Sequence, residues 1–482
     1  MKIKCQNFGP IKEGSIDISK DLIIICGANN SGKTYLSYLL YGLFKADHLL
    51  NLDSYNLVGD LLNQVKVKNG TLYFRIDIVD LLRKQKANID IAFSKYALET
   101  VRLIFPQNNI FLETEIFFDY NEDEIIKLLL TESLGESIMA PKFENAETKE
   151  VDIPFISFSK LANNPHLDFK IRRVSADNGS EEITKNEQLC VNDIVFKNFL
   201  FQIFGHIKPP VKLFPSERIA IDIFSSAIIS SNESLLVESE KTQIMAYVTK
   251  GSNLGGSASM NLDEKLPYYI LPIKDAIIMS NSAIMASQNN GPFHNLGVRI
   301  QDEIISGEIY HKKIGNTYDI VFKNSEVEVP IQFASSVVKS MASVVIYFKH
   351  LATKNDILII DEPELCLHPD LQRKFAVILA KASREGIKVI ISTHSDFLIR
   401  EFNNLIMLHK DSKEAKILRI KYGAIGYSSN STLNFNRVGI NLFKDGTIIE
   451  LPNTESGFEI PMIDEVIEAQ NSISEEIFFS IF

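Results

Sequence analysis

No apolar run in this 482-residue chain approaches the roughly 18–20 residues needed to cross a membrane. Its opening, MKIKCQNFGPIKEGSIDI, lacks the apolar stretch of a secretion signal. Cysteine is scarce: Cys5, Cys26, Cys190 and Cys366 are scattered with no C-x-x-C pair, so neither a disulfide framework nor a zinc site is expected. Positive charge is in deficit. Fifty Lys and Arg against 61 Asp and Glu leave a formal charge of −11, which argues against a surface given over to nucleic acid. The local basic clusters LLRKQK (81–86) and HKKIG (311–315) read as solvated faces. There is no internal repeat and no long heptad run, so no extended coiled-coil arm is expected. These absences predict a cytoplasmic chain with no membrane partner. The 45% hydrophobic and 23% charged residues are those of an ordinary globular protein, and the length predicts about two or three domains.

What is present begins with DLIIIC (21–26), an apolar strand that runs into GANNSGKT. A helix follows from Lys33, with Leu36, Leu39, Leu40 and Leu43 on one face. Ahead of it, alternating residues around FGPIKEGS predict an N-terminal β-hairpin. Residues 46–330 carry no equally sharp motif. TLYFRIDI (71–78), FLETEIFF (111–118), FISFSK (155–160) and VKLFPSER (211–218) read as strands, with helical patterns near 89–104, 122–131, 188–205 and 270–289. A Gly-, Ser- and Asn-rich stretch at 230–265 predicts mobility and a partner or oligomer contact, and an antiparallel meander is expected at 307–332. From 334 the pattern alternates again: helix (334–352), strand (356–364), helix (370–386), strand (388–396), helix. Such alternation predicts parallel strands with right-handed crossovers. The expected organisation is an N-terminal lobe (1–45), a large inserted α/β region (46–330), a second lobe (331–420), and a C-terminal hairpin and helix (421–482) serving as an interaction element.

The run Gly27-Ala-Asn29-Asn30-Ser31-Gly32-Lys33-Thr34, followed by Tyr35, fits G-x-x-x-x-G-K-[ST] in full. Its glycines let backbone N–H groups turn inward as an anion nest, and the helix adds its positive end. Lys33 can reach the β- and γ-phosphates of ATP, and the Thr34 hydroxyl can ligate Mg²⁺. ILIIDEPE then ends a buried strand on Asp361, suited to hold the magnesium, beside Glu362, suited to take a proton from an attacking water. IISTHSD sets His394 at the end of the next strand, where it can hydrogen-bond the γ-phosphate or the water.

Taken together, NFGPIKEGSIDI, the phosphate loop, DEPELCLHPDLQ and STHSDFLI resemble the ATP-binding-cassette type of ATPase, in the branch that holds SMC, RecF and OLD proteins. The resemblance implies a P-loop head with a mixed β-sheet and flanking helices, in which two copies sandwich Mg·ATP. It also implies that a serine on a signature helix reaches the partner's γ-phosphate. Ser335 and Ser336, in FASSVVKSMASVV, stand where that helix belongs, but Val337 and Val338 replace the glycines of the usual LSGGQ form. A closer resemblance is to OLD-like ATPases of bacterial anti-phage systems, through PSER (215–218), SSVV (335–338) and DEPELCLHP (361–369). Arg218 in that set is open to a phosphate or partner contact and equally to a buried ion pair. From Ser395 onward there is no D-x-D pair, so a Toprim nuclease is not expected.

The implied function is the ATPase and sensor or scaffold subunit of a two-gene defence system similar to PARIS or Septu. Its partners would be further copies of itself, an effector nuclease or toxin encoded separately, and a phage protein as trigger. One rival reading is a RecF-like repair ATPase acting on DNA. The other is an ATP-locked scaffold that hardly turns over.

Overall fold

The computed structural model describes residues 1–45, 66–68, 71–106, 109–131, 134–139, 155–172, 191, 195, 210–230, 270–286, 289–314 and 317–481. Most of the stretch expected to be mobile (230–265) and of the helix expected at 188–205 lies outside the described residues.

The elements run β1 (Lys2–Phe8), β2 (Ile11–Asp17), β3 (Leu22–Gly27), α1 (Lys33–Lys45), β4 (Lys66–Lys68), β5 (Thr71–Asp77), α2 (Ile78–Ile104), β6 (Glu115–Asp119), α3 (Glu122–Thr131), β7 (Leu134–Met139), β8 (Phe155–Lys160) and β9 (His166–Arg172). They continue with β10 (Val211–Phe214), α4 (Arg218–Ser230), α5 (Leu271–Ala286), α6 (His294–Ile300), β11 (Glu308–Ile314), β12 (Thr317–Lys323), β13 (Glu328–Pro330), α7 (Ser336–Ile346) and β14 (Ile357–Asp361). Last come α8 (Pro369–Arg384), β15 (Lys388–Thr393), α9 (Asp396–Met407), α10 (Lys413–Lys421), β16 (Val438–Lys444), β17 (Thr447–Glu450) and α11 (Pro461–Ile481).

A nine-stranded sheet, in the order β10-β14-β15-β3-β16-β17-β2-β1-β6, organises the molecule. Its first five strands are mutually parallel. Every residue of β3 is buried, as expected of a strand covered on both faces. Its side chains alternate between two hydrophobic layers. Ile23 and Ile25 join Leu36, Leu39 and Leu40 of α1 and Ala97 and Val101 of α2, whereas Leu22, Ile24 and Cys26 join Met341 of α7 and Phe375 of α8. Ile357 and Ile359 against Leu358 and Ile360 repeat the division in β14, two strands away across β15. Helix ends carry local signals: Ser335 caps α7 and Ser395 caps α9, while Pro369 opens α8, where its missing N–H costs nothing.

A second, antiparallel sheet, β4-β5-β9-β8-β7, packs Leu72, Phe74 and Ile76 into the layer that holds α2, and a three-stranded sheet (β11-β12-β13) forms the expected meander. The fold is the mixed α/β architecture read from the sequence. Among the described residues the longest helical span is α2, 27 residues broken by a kink at Gln85, and no long coiled coil is present. No described helix is long and apolar enough to cross a membrane.

β6 and β10, both within 46–330, belong to the central sheet as neighbours of β1 and β14. The tail hairpin β16-β17 enters the sheet as well. Its first strand lies parallel to β3, from Val438 beside Leu22 to Phe443 beside Gly27. The cause is legible in burial, since six of its seven residues, Val438 to Phe443, are buried.

Candidate functional site

The carboxyl ends of β14, β15 and β3 lie side by side, the place where open α/β sheets present their ligand sites. β15 separates the strand that feeds the phosphate loop from the strand that ends in Asp361. Residues distant in sequence therefore converge on one edge.

The phosphate loop needs its glycines for two reasons. Gly27 and Gly32 have φ of +148° and +107°, and a Cβ on Gly27 would stand 2.6 Å from the Phe443 carbonyl oxygen. Lys33 is 7% exposed, and its ammonium donates to the Gly27 and Ala28 carbonyl oxygens at 3.0 and 2.7 Å. Burial lowers its pKa, and the carboxylates of Asp361, Glu362 and Glu364 oppose that shift. Asn29 and Asn30 are exposed, with Asn30 at φ +61°. The Ser31 hydroxyl is buried with no hydrogen-bond partner. Tyr35 turns its ring into an aromatic cluster with Phe8, Phe105 and Phe111.

Thr34 Oγ1 donates to Asp361 Oδ2 at 2.9 Å, which brings together the two oxygens expected to hold magnesium. The other oxygen, Oδ1, accepts from the Ser392 hydroxyl on β15. Burial raises the Asp361 pKa, and these two hydroxyl donors pull it back. Hard oxygens from a hydroxyl and a carboxylate suit Mg²⁺, and the orphaned Ser31 hydroxyl suits an anionic neighbour. The residues present fit Mg·ATP.

Glu362 takes φ of +49°, uncommon for a residue with a side chain. Its N–H donates to the Ser392 carbonyl at 2.9 Å, and its carboxylate stays partly open to solvent. His394 Nδ1 is 3.9 Å from Glu362 Oε1 and 3.4 Å from Glu364 Oε1. Glu364 is buried and accepts from the Thr393 hydroxyl at 2.8 Å and the His394 N–H at 2.9 Å, so it sets the turn that presents the histidine. Sequence reasoning missed Glu364 and Ser392. The signal for Glu364 was its own motif, the third acid of DEPE.

Arg218 resolves differently from either expectation. It is 1% exposed, and every hydrogen bond it makes goes to main chain. Nε donates to the Ser340 carbonyl at 2.9 Å, Nη1 to Pro215 at 3.2 Å and Asp361 at 2.8 Å, and Nη2 to Glu362 at 2.9 Å. It ties α7 to the backbone on either side of the Asp361–Glu362 bond.

Ser335 and Ser336 are both exposed at the start of α7, and the Ser335 hydroxyl accepts from the Val338 N–H at 3.4 Å as an ordinary cap. Val337 is half-buried and Val338 buried. The valines that stand in place of glycines thus pack the helix onto its own core.

Known proteins bear on this arrangement. Over 127 residues the chain is 30% identical to the energy-coupling factor transporter ATP-binding protein EcfA of Methanococcus maripaludis, covering 26% of this chain and 44% of that one. The chain therefore spans less than half the length of that curated relative. Among solved structures, the Smc head domain bound to the C-terminal domain of ScpA from Pyrococcus furiosus aligns at a TM-score of 0.32, with 12% identity and 98% of each chain covered. The recombination mediator RecF aligns at 0.30, with 12% identity over 94% of this chain and 97% of that one. The SMC head domain from Thermotoga maritima aligns at 0.30, with 10% identity over 94% and 98%. Residues 1–399 match the AAA ATPase domain, a stretch that takes in Lys33, Thr34, Asp361, Glu362 and His394, and the chain belongs to that family.

Proposed function

We propose that this protein is an ATP-binding-cassette type ATPase that hydrolyses Mg·ATP at the seam between two copies. The observation that carries the reading is the meeting of Thr34, Asp361, Glu362 and His394 at adjoining strand ends. Lys33 and the inward-turned loop amides bind and neutralise the β- and γ-phosphates. Magnesium, held by Thr34 and Asp361, would supply further neutralisation of the phosphate oxygens. Glu362 orients a water and takes its proton as the water oxygen bonds to the γ-phosphorus and the bond to the β-phosphate oxygen breaks. His394, steered by Glu364, donates to the γ-phosphate oxygen on which charge accumulates. Ser335 and Ser336, solvent-facing at the head of α7, are the contacts offered to a nucleotide held by the partner copy.

The biological setting we propose is the one the motif resemblance implies. The protein is a sensor or scaffold subunit that controls an effector nuclease or toxin on another polypeptide. Support comes from the joint occurrence of PSER, SSVV and DEPELCLHP in one chain. The rival setting is a RecF-like ATPase working on DNA. The ATP-locked scaffold draws on one specific observation: Ser335 is engaged as a cap and its neighbouring valines are packed, which leaves little freedom for close approach of a second nucleotide.

The test is Glu362→Gln. It should retain ATP and lose turnover by about 10²–10⁴-fold, the usual worth of a positioned base. Turnover equal to wild type removes Glu362 as the base. Should wild type itself hold ATP with single-turnover kinetics, the scaffold reading takes over. The same variant, recovered from cells in its ATP-bound state, separates the settings: a stoichiometric nuclease- or toxin-like protein supports the effector reading, and DNA without a protein partner supports the repair reading.

A further inference from the structure

Two helices near the C-terminus carry exposed apolar faces of opposite charge. α11 contains Asp464, Glu465, Glu468, Glu475 and Glu476, and no lysine or arginine. Every residue from 468 to 481 is exposed. Ile473, Ile477 and Ile481, at 58%, 54% and 68% exposure, recur at i, i+4 and i+8 and so stack into one stripe with Glu476 on its flank. Glu475 and Glu476 are neighbours on this helix, and its last turn has no basic residue to offset them. A cation brought from outside relieves that repulsion.

α10 offers it. Ile417 and Ile420, 63% and 82% exposed, stand one turn apart on its outer face, and helical spacing sets Lys413, Lys416 and Lys421 around them. Only Ala415 of this helix is buried, so its inner face anchors it and its outer face is unused by the fold. The pairs its lysines do make are surface ones: Lys416 with Asp411 at 2.7 Å and Lys421 over the Tyr422 ring. Such exposed pairs are worth little and are readily exchanged.

We propose that the isoleucine stripe of α11 in one copy of this chain docks on the lysine-ringed isoleucines of α10 in a second copy. Charge selects the occupant. Two α11 helices repel each other, as do two α10 helices, whereas α10 with α11 matches apolar to apolar and acid to base. Because both surfaces lie on the same chain, a two-fold axis makes the contact reciprocal, with two such seams per pair. The contact needs no nucleotide, and so it stands apart from the ATP seam proposed above.

The experiment is sedimentation velocity on the full chain without nucleotide. Wild type should self-associate, and raising salt should weaken it as the screening length falls from about 8 Å near 0.15 M to about 3 Å at 1 M. Reversing α11 (Glu468→Lys, Glu475→Lys, Glu476→Lys) or α10 (Lys413→Glu, Lys416→Glu, Lys421→Glu) should each weaken self-association roughly tenfold or more. Mixing the two reversed chains should restore a one-to-one complex, because each now offers what the other needs. Ile473→Ser with Ile477→Ser should abolish association, and neither reversed chain should rescue it. A nucleotide-free wild type that stays monomeric at high concentration overturns the proposal. So does a mixture that fails to form the mixed complex, or a rescue seen only when both reversals are on one chain, which would mean α11 docks on its own α10. Loss of ATP-driven pairing with this association intact would instead fault the ATP seam alone.

Discussion

Replacing Arg218 by methionine keeps a long side chain and removes five N–H donors from a site with no water access. Four carbonyls, those of Pro215, Ser340, Asp361 and Glu362, lose their donor. At about 1.5–3 kcal/mol for a hydrogen bond from a charged group, the four sum to roughly 6–12 kcal/mol. Against this stands the cost of keeping a guanidinium dry, several kcal/mol, which the variant recovers. The lowered Arg218 pKa has that cause, with Glu364, Asp361 and Asp222 opposing it. The expected net loss is about 3–5 kcal/mol. The functional effect should be distinct from the loss of stability. Arg218 holds the carbonyl of Glu362, whose left-handed φ aims the carboxylate into the site. Released, that carboxylate shifts by a fraction of an ångström to an ångström, enough for about a 10²-fold loss in kcat. The phosphate loop is untouched, so the Kd for ATP should stay within about threefold, a change of well under 1 kcal/mol. The assays are urea unfolding, equilibrium binding of a fluorescent ATP analogue, and phosphate release well below the melting temperature. Arg218→Lys should fall between, since an ammonium reaches some of the carbonyls but has no fork. A folded Arg218→Met with wild-type kcat refutes the positioning role, and equal losses in kcat and ATP affinity would make Arg218 a general structural brace.

Lys33→Ala should weaken ATP binding about 10–100-fold or more, the worth of a charge-assisted contact to phosphate, as read by titration calorimetry. Unchanged affinity would remove Lys33 from the phosphate site. Asp222 is fully buried, accepts from the Ser343 N–H at 3.1 Å and the Ser280 hydroxyl at 3.4 Å, and has a pKa that burial pushes up to about 7. Its folded pKa lies above the unfolded value of about 3.9, so the proton it keeps stabilises the fold at acid pH, and that contribution drains away as pH rises towards 7. The loss amounts to about 4 kcal/mol at most between pH 4 and 7, at about 1.4 kcal/mol per pH unit. Asp222→Asn should flatten the stability–pH profile across that window in urea titrations. A slope unchanged by the substitution would mean that Asp222 takes up its proton alike in the folded and unfolded chain.

The parts of the site legible in the sequence are those where one short stretch carries both the element and its chemistry. LIIIC before GANNSGKT, and ILII before DE, announce a buried strand and the reacting groups at its end within thirteen residues. What could not be read is lateral. Nothing in the sequence says that the His394 strand lies between the other two, because parallel neighbours need no turn between them to record their order. Arg218 was visible as a residue of interest, but its partners are carbonyl oxygens, which every residue carries and no side-chain pattern reports. VGINLFKDGTIIEL reads as a hairpin in an interaction element. Its burial beside β3 depends on a partner strand far away in the chain.

That strand pairing has a consequence for the chain during its synthesis. On one side Leu22 of β3 pairs with Val389, and on the other with Val438. Both edges of the strand that feeds the phosphate loop therefore wait, open, for partners translated far later. At about 5–20 residues per second the delay is on the order of 20–80 s. Throughout it LIIIC is an unpaired apolar edge, the kind of segment that recruits wrong partners. A ribosome stalled before Lys388 should display a nascent chain held by chaperones and unable to assemble the site. The phosphate loop and the Asp361 strand meet only once β15 has arrived between them, so the first strand of the site waits for residues made more than 360 positions later.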